Sequence, residues 1–323
     1  MKKELFGKIG NSEVYKYFLK DGNIEADIIT YGGIVTDIRV NDKSGKQLST
    51  VVAYDTLEEY VAGKSFYGAV IGRFGNRIEG GKFLIDGVEY NVTKNEGNNT
   101  LHGGKAGFDR KIWTVKNVSK NSIELFYSSP DGEEGFPGKL DVTVTYTLTD
   151  NSLKINYSAI TDKPTVVSLT NHSYFNVKGV DNTTDDIKLF IDADKITPVD
   201  SELIPHGDFM DVENTLFDFR THKPFICDLS ANTVLAERGC FDENFVLNGT
   251  GLRKIASIES DETGLTMDVI SDCPGMQIYT GNPHGIALET QNFPNAVNCP
   301  EYPSAVLRPG EEYKTTTIYK YCK

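Results

Sequence analysis

Long apolar runs are missing from this chain. No stretch reaches the roughly 18 consecutive apolar residues that a membrane-crossing helix needs, so no transmembrane helix is expected. The opening Met1-Lys2-Lys3-Glu4-Leu5-Phe6-Gly7-Lys8 has basic residues but no apolar core behind them; no secretory signal is expected. Cysteine is scarce: the five fall at 227, 240, 273, 299 and 322, an odd number, widely spaced and without a C-x-x-C. That pattern argues against a disulfide framework or a zinc site, and for free thiols in a reducing compartment such as the cytoplasm. Basic charge is also in deficit, with 33 Lys and Arg against 46 Asp and Glu and a net charge of −13. Such a chain repels phosphate backbones and anionic lipid, so neither nucleic acid nor membrane is an expected partner. Helical periodicity is nearly absent. Only Asp55 to Ala62 reads as a turn or two of helix, with Asp55 or Thr56 as its cap. Strands that follow one another without helices exclude βαβ units and a parallel sheet. No Pro- or Ser-rich linker and no fixed-period repeat divides the chain, so residues 1–323 read as one domain and not as a propeller.

What is present is a period of two. Val142, Val144, Tyr146 and Leu148 alternate with threonines. After Asp150-Asn151-Ser152, Leu153, Ile155, Tyr157 and Ala159 alternate with polar residues. That is a β-hairpin with one buried face. Lys82 to Ile85 and Val88 to Val92 flank Asp86-Gly87, a strong hairpin signal. Further strands are expected over 111–118 and 122–129, and near 13–19, 24–31, 34–40, 48–53, 164–170, 187–192, 244–247, 254–259, 264–270 and 313–321. The fold class is therefore all-β, a large antiparallel β-sandwich.

Several polar stretches interrupt this pattern. Ile286 to Glu289 reads as a short strand that ends on a carboxylate at a sheet rim, with the turn Asn292-Phe293-Pro294-Asn295 close behind. Pro274 to Asn282, with Gln277, is a second polar-tipped strand. A lone strand-end Glu is most often simply solvated. Two histidines are set in stretches of the same build. His102 lies in Asn98-Asn99-Thr100-Leu101-His102-Gly103-Gly104, and His172 ends a strand in Thr170-Asn171-His172-Ser173-Tyr174-Phe175-Asn176. Taken singly, each also fits an exposed loop residue or a hydrogen-bonded core residue. Gly72-Arg73-Phe74-Gly75-Asn76-Arg77-Ile78 brings two arginines and an Asn together; ligand binding and solvated arginines on a bulged strand fit it equally. Asp242 and Glu243 precede a strand, and either could face a pocket or water. His206, His222 and His284 lie in separate loops without metal-ligand spacing. A two-His site from His102 and His172 has no motif behind it, and no metal is expected.

Together these stretches resemble the aldose 1-epimerase (galactose mutarotase) family. The resemblance rests on Phe66-Tyr67-Gly68, the Gly72–Ile78 stretch, Leu101-His102-Gly103-Gly104, Thr170 to Asn176, Asp242 before Asn244-Phe245, Pro274 to Asn282, and Leu288-Glu289-Thr290-Gln291-Asn292-Phe293-Pro294. Seven pieces in order span nearly the whole chain; Arg308-Pro309-Gly310-Glu311 before a Thr-rich last strand is similar too. The resemblance implies the mutarotase-like supersandwich and interconversion of the α and β anomers of free aldohexoses such as galactose and glucose. It puts Glu289 at the general-base position and His172 at the general-acid position. Asn76, Arg77, His102, Asp242 and Gln277 fall on sugar-binding positions, and no cofactor is implied. The stretch from Asn282 to Leu288 is shorter than in many relatives, so the pocket rim there differs.

That chemistry suits the residue types. Ring opening needs a base at the O1 hydroxyl and an acid at the ring oxygen O5, at the same time. A free Glu, near pKa ~4.3, is ionised at neutral pH; a free His, near ~6.5, can be kept protonated by a nearby carboxylate. Tyr67 or Phe175 would offer an apolar face to the sugar. A sugar-binding sandwich without catalysis also fits. A glycoside hydrolase would use Glu289 and Asp242 but leave the histidines without a role. A relative acting on hexose 6-phosphates would need more cationic groups than Arg73 and Arg77.

Overall fold

In the computed structural model, which describes residues 2–226 and 228–323, the period-two segments form antiparallel sheets. Nine strands build the largest. Thr114–Val118, Ser122–Ser129, Leu140–Thr149 and Ser152–Thr161 follow in chain order. Tyr313–Cys322, Thr266–Ser271, Arg253–Glu259, Lys188–Ile191 and Lys223–Pro224 complete it. Six strands build the second, ordered Tyr174–Phe175, Gly285–Gln291, Gly275–Asn282, Asp242–Leu247, Ala193–Thr197 and Met210–Asp211. A five-stranded meander, Lys2–Ile9 to Gln47–Ser49, completes the framework.

The two larger sheets meet face to face. Tyr319 of the last strand packs on Phe175, with ring centroids 4.4 Å apart, and its hydroxyl donates to the Leu288 carbonyl at 3.0 Å. One core cluster takes in Val142, Val144 and Tyr146 from the large sheet and Ile278, Ile286 and Leu288 from the six-stranded one.

Both hairpins form around paired left-handed residues. Asp86 and Gly87 have φ of 53° and 80°, and Asp150 and Asn151 have 50° and 56°. Positive φ at both central positions matches the right-handed twist of the flanking strands. The turn of the second hairpin is Asp150-Asn151 alone, because Ser152 already belongs to the strand. The short helix is Leu57–Ala62. Thr56, not Asp55, is its cap, closing a capping box with Glu59.

Several elements were not foreseen, among them the first strand and the second helix. Lys2–Ile9 is an edge strand, where the only expectation was the absence of a secretory signal. Lys2 and Lys3 lie over the rings of Phe18 and Tyr15 on the neighbouring strand, and charge of this kind guards an open edge. Thr233–Arg238 is a six-residue helix, capped by Asn232 and ended by Gly239 at φ 76°, too short to display a period. No helix among the described residues is long and apolar enough to cross a membrane. Cys240, Cys273, Cys299 and Cys322 are free thiols; Cys227 lies outside the described residues.

Candidate active site

Glu289 does not end its strand. The strand runs Gly285–Gln291, and Glu289 stands within it, opposite Gln277 of the neighbouring strand. Alternation sends Ile286 and Leu288 into the sandwich core and turns Glu289 to the other face. Its carboxylate is 1% exposed, because loops from elsewhere cover that face. The expected rim position is therefore corrected to the floor of a cavity of about 410 Å³. That cavity is lined by Asn76, Arg77, His102, His172, Asp242 and Glu289, with Phe66, Tyr67, Tyr174 and Tyr279 as aromatic walls. A second concavity of about 290 Å³, beside Leu265 and Tyr321, has no His, Asp or Glu in its lining.

The loops that supply these groups are tied to one another. Arg77–Ile78 pairs with Thr100–Leu101 as a two-residue ladder. Asn76 and His102, just beyond it, take φ of 66° and 51°, a region open to Asn and His at modest cost. The Asn76 N–H donates to His102 Nδ1 at 3.1 Å, and the His102 N–H donates to the Asn76 carbonyl at 3.1 Å. Gly103 must be glycine: a Cβ there would lie 2.0 Å from the Gly72 carbonyl oxygen. His172 leaves the pair Thr170–Asn171, which bonds to Val70–Ile71.

The charges form a graded set. Arg77 grips Glu96 through two bonds of 2.6 and 3.0 Å and stands 3.7 Å from Asp242. Burial works against its charge, but Glu96 and Asp242 outweigh burial and raise its pKa. Gln277 does not line the cavity. Its Nε2 donates to Asp242 Oδ1 at 2.6 Å, and its Oε1 has no hydrogen-bond partner among the described residues. The adjacent acid, Glu243, faces the other way and bonds Arg238.

Glu289 Oε1 and His172 Nε2 are 3.4 Å apart. The expectation that the carboxylate keeps His172 protonated is not met. Burial pushes His172 down to about 4. Burial, with Asp242 second, pushes Glu289 well up, only partly opposed by Arg77. Distance alone reads as an ion pair, yet for two groups withdrawn this far from water desolvation outweighs attraction. The folded chain favours protonated Glu289 beside neutral His172. That form holds the same number of protons as the ion pair and differs from it by one transfer across 3.4 Å.

His102, His172 and Glu289 offer ligand atoms within 4.8 Å of one another, which invites a metal. The Asn76 N–H on His102 Nδ1 argues otherwise. A neutral imidazole that accepts at Nδ1 carries its proton at Nε2, so His102 presents a donor to the cavity and no lone pair for a cation.

Two expectations change. Phe175 is fully buried against Tyr319 and never reaches the cavity; Tyr67 does, with Tyr174 and Tyr279. Arg73 is structural. Its guanidinium donates to the carbonyls of Pro137 and Gly138 at 2.8 Å each and to Ser129 Oγ at 2.7 Å, away from the cavity. Arg73→Met is expected to lower stability by roughly 3 kcal/mol or more, since each stranded carbonyl costs about 1–3 kcal/mol. A urea midpoint measures it, with KM of the folded fraction unchanged. Phe66 has no polar group and burial keeps the Tyr174 phenol protonated; both were overlooked as site residues, although both lie in the stretches singled out above. The short stretch after Asn282 is a tight turn: Asn282 pairs with Gly285, and Asn282 Nδ2 donates to the Tyr67 hydroxyl at 2.7 Å across the cavity mouth.

Known proteins show the same combination of sheets and loops. A family described as aldose 1-epimerase matches residues 15–320. A galactose mutarotase of Mus musculus is 41% identical over 337 residues, covering 98% of this chain and 97% of its own. An aldose 1-epimerase of Escherichia coli K12 is 35% identical over 314 residues, 91% of each chain. The crystal structure of an aldose epimerase homologue from C. elegans superposes with a TM-score of 0.86 at 26% identity, covering 95% of this chain and 99% of that one.

Proposed function

The chain belongs to the aldose 1-epimerase family and is an isomerase of the mutarotase type; from that premise we propose that it interconverts the α and β anomers of free aldohexoses such as galactose and glucose, with Glu289 and His172 moving the protons. The observation that carries the assignment of roles is the 3.4 Å approach of one carboxylate to one imidazole on the floor of a cavity that also presents hydrogen-bonding groups and aromatic rings.

Glu289 takes the O1 proton while His172 gives one to O5. The C1–O5 bond breaks, the open-chain aldehyde turns about C1–C2, and closure on the other face reverses both transfers. The pair needs one proton in total, which both of its forms hold. A sugar hydroxyl donating to Glu289, with Arg77 nearby, stabilises the ionised carboxylate and draws the pair toward its reactive form. His102 Nε2–H, Asn76, Arg77 and Asp242 hold the hydroxyls, Gln277 fixes Asp242, and Tyr67 and Tyr174 give the ring an apolar face.

A preference for unphosphorylated sugar follows from the cations. Arg73 is engaged by carbonyls away from the cavity and Arg77 by Glu96, which leaves Lys64 at the mouth among the described lining residues. The test is optical rotation of fresh α-galactose with purified, chelator-treated protein. Equilibration is expected to run faster than in buffer and to be unaffected by the chelator. A rate equal to buffer across several aldoses would leave a sugar-binding module in its place.

A further inference from the structure

Catalytic imidazoles are usually aimed by a hydrogen bond at the nitrogen that does not react. No other described residue gives His172 such a bond: its Nδ1 is buried and faces at most its own backbone. Something else must set the plane of the ring and keep Nε2 on Glu289.

Two aromatic rings stack on it. Tyr174 stacks on the imidazole with centroids 5.0 Å apart and planes at 28°. Phe66 stacks on it at 5.7 Å, also at 28°, and meets His102 edge-on at 4.8 Å. His102 in turn stands edge-on to His172 at 5.2 Å. One phenyl ring thus touches both histidines of the cavity.

The backbone that carries Phe66 is registered to His172 itself. The Gly68 N–H donates to the His172 carbonyl at 3.0 Å, the His172 N–H to the Ala69 carbonyl at 2.9 Å, and Asn171 Nδ2 to the Gly68 carbonyl at 2.7 Å. The Ala69 N–H closes the turn on the Phe66 carbonyl at 3.0 Å. Phe66 has φ 54°, a left-handed conformation that a non-glycine side chain rarely adopts and that the surrounding bonds must impose. Gly68 lets the turn come this close, since a Cβ there would lie 2.0 Å from the Val35 carbonyl oxygen. The turn is therefore bonded to His172 on both sides, and Phe66 is its ring-facing part.

We propose that Phe66 is a positioning residue for this reaction, clamping the His172 imidazole against Tyr174 so that Nε2 faces Glu289 and water is kept from the ring. It touches no reacting atom in this scheme; it acts through His172, and the inference rests on the acid role given to His172 above. Burial of the imidazole, which holds its pKa down near 4, is in part the work of this ring.

The test compares Phe66→Leu, Phe66→Ala and Phe66→Tyr, each checked for folding by circular dichroism. Phe66→Leu keeps an apolar side chain but loses the plane. Its kcat is expected to fall roughly 10- to 100-fold, the scale of an ångström-sized misplacement, with KM within about 3-fold, and Phe66→Tyr is expected to restore kcat. A histidine-labelled NMR titration reads the same clamp without any assay. His172 is expected to titrate near 4 in the wild type and to move toward ~6.5 in Phe66→Leu. Glu289, His102, Arg77, Asp242, Tyr174 and Lys64 line the same cavity and are left unsubstituted in every variant. An unchanged titration and a kcat within 2-fold of wild type in folded Phe66→Leu would overturn the proposal. So would a rise in KM alone, which would make Phe66 a platform for the sugar. If Phe66→Ala fails to fold, Phe66→Leu and Phe66→Tyr decide. Should wild-type protein not accelerate mutarotation, the functional reading fails while the titration still reports on the clamp.

Discussion

Folded Glu289→Gln is expected to lose about 10²–10⁴-fold in kcat for galactose, the range a positioned general base contributes. The amide keeps the shape of the side chain and its place opposite Gln277, so sugar affinity should stay close to wild type. Stability should move the other way. Burial raises the pKa of Glu289, so the fold favours its protonated form. That contribution is full below the unfolded value of 4.5 and is lost as pH rises through the higher folded value. As pH rises above 4.5 the unfolded chain gives up a proton that the fold keeps, a loss of stability that the Gln variant does not share. Equal or higher thermal stability beside the loss of turnover is therefore the expected pair of results. Near-normal kcat in the folded variant would remove Glu289 from the role of base.

His172→Asn is the second large effect, again about 10²–10⁴-fold in kcat, because no titratable nitrogen is left to face O5. The pH dependence of stability separates this from a purely structural loss. Burial brings His172 down to about 4 when folded, against an ordinary 6.5 when unfolded. Between those values the unfolded chain binds a proton that the fold refuses, so wild-type stability drops as pH falls from 6.5 toward 4. The variant lacks this slope. Urea midpoints at pH 7, 5.5 and 4.5 should converge as pH falls. A variant that is unfolded at pH 7 would instead make His172 a structural residue.

The hairpins were legible because paired left-handed residues have so few sequence solutions; Asp86-Gly87 and Asp150-Asn151 announce themselves. The groups of the cavity were legible as chemistry but not as positions. Glu289 looked like a strand end because Thr290 and Gln291 are polar. In the fold Thr290 meets Thr317 of the facing sheet at 2.5 Å, and Gln291 is covered by loops, so the strand continues through both. Tyr174 and Phe175 are neighbours in sequence on opposite faces of one short strand, and only its placement decides which ring meets the sugar. Arg73 was ambiguous because its partners are backbone carbonyls some 60 positions further along, and carbonyls leave no trace in the side-chain pattern. The titration of the Glu289–His172 pair was misjudged from sequence because reference pKa values describe solvated groups, and the depth of burial is a property of the whole fold.

The strand Tyr313–Cys322 lies between Ser152–Thr161 and Thr266–Ser271, far inside the nine-stranded sheet. Its neighbours are separated in sequence by more than a hundred residues and cannot complete the sheet until it arrives. The same strand supports the one that carries Glu289, through the bond from Tyr319 to the Leu288 carbonyl, one residue before it. As the chain leaves the ribosome, early hairpins can form at once, but the acid–base floor has no backing until the final strand is released. Contacts this distant in sequence make for slow folding and a long interval with open strand edges. For this enzyme the hazardous period is the time between synthesis of the first half and insertion of the last strand, when a partly built sheet can pair with another copy before its own last strand fills the gap.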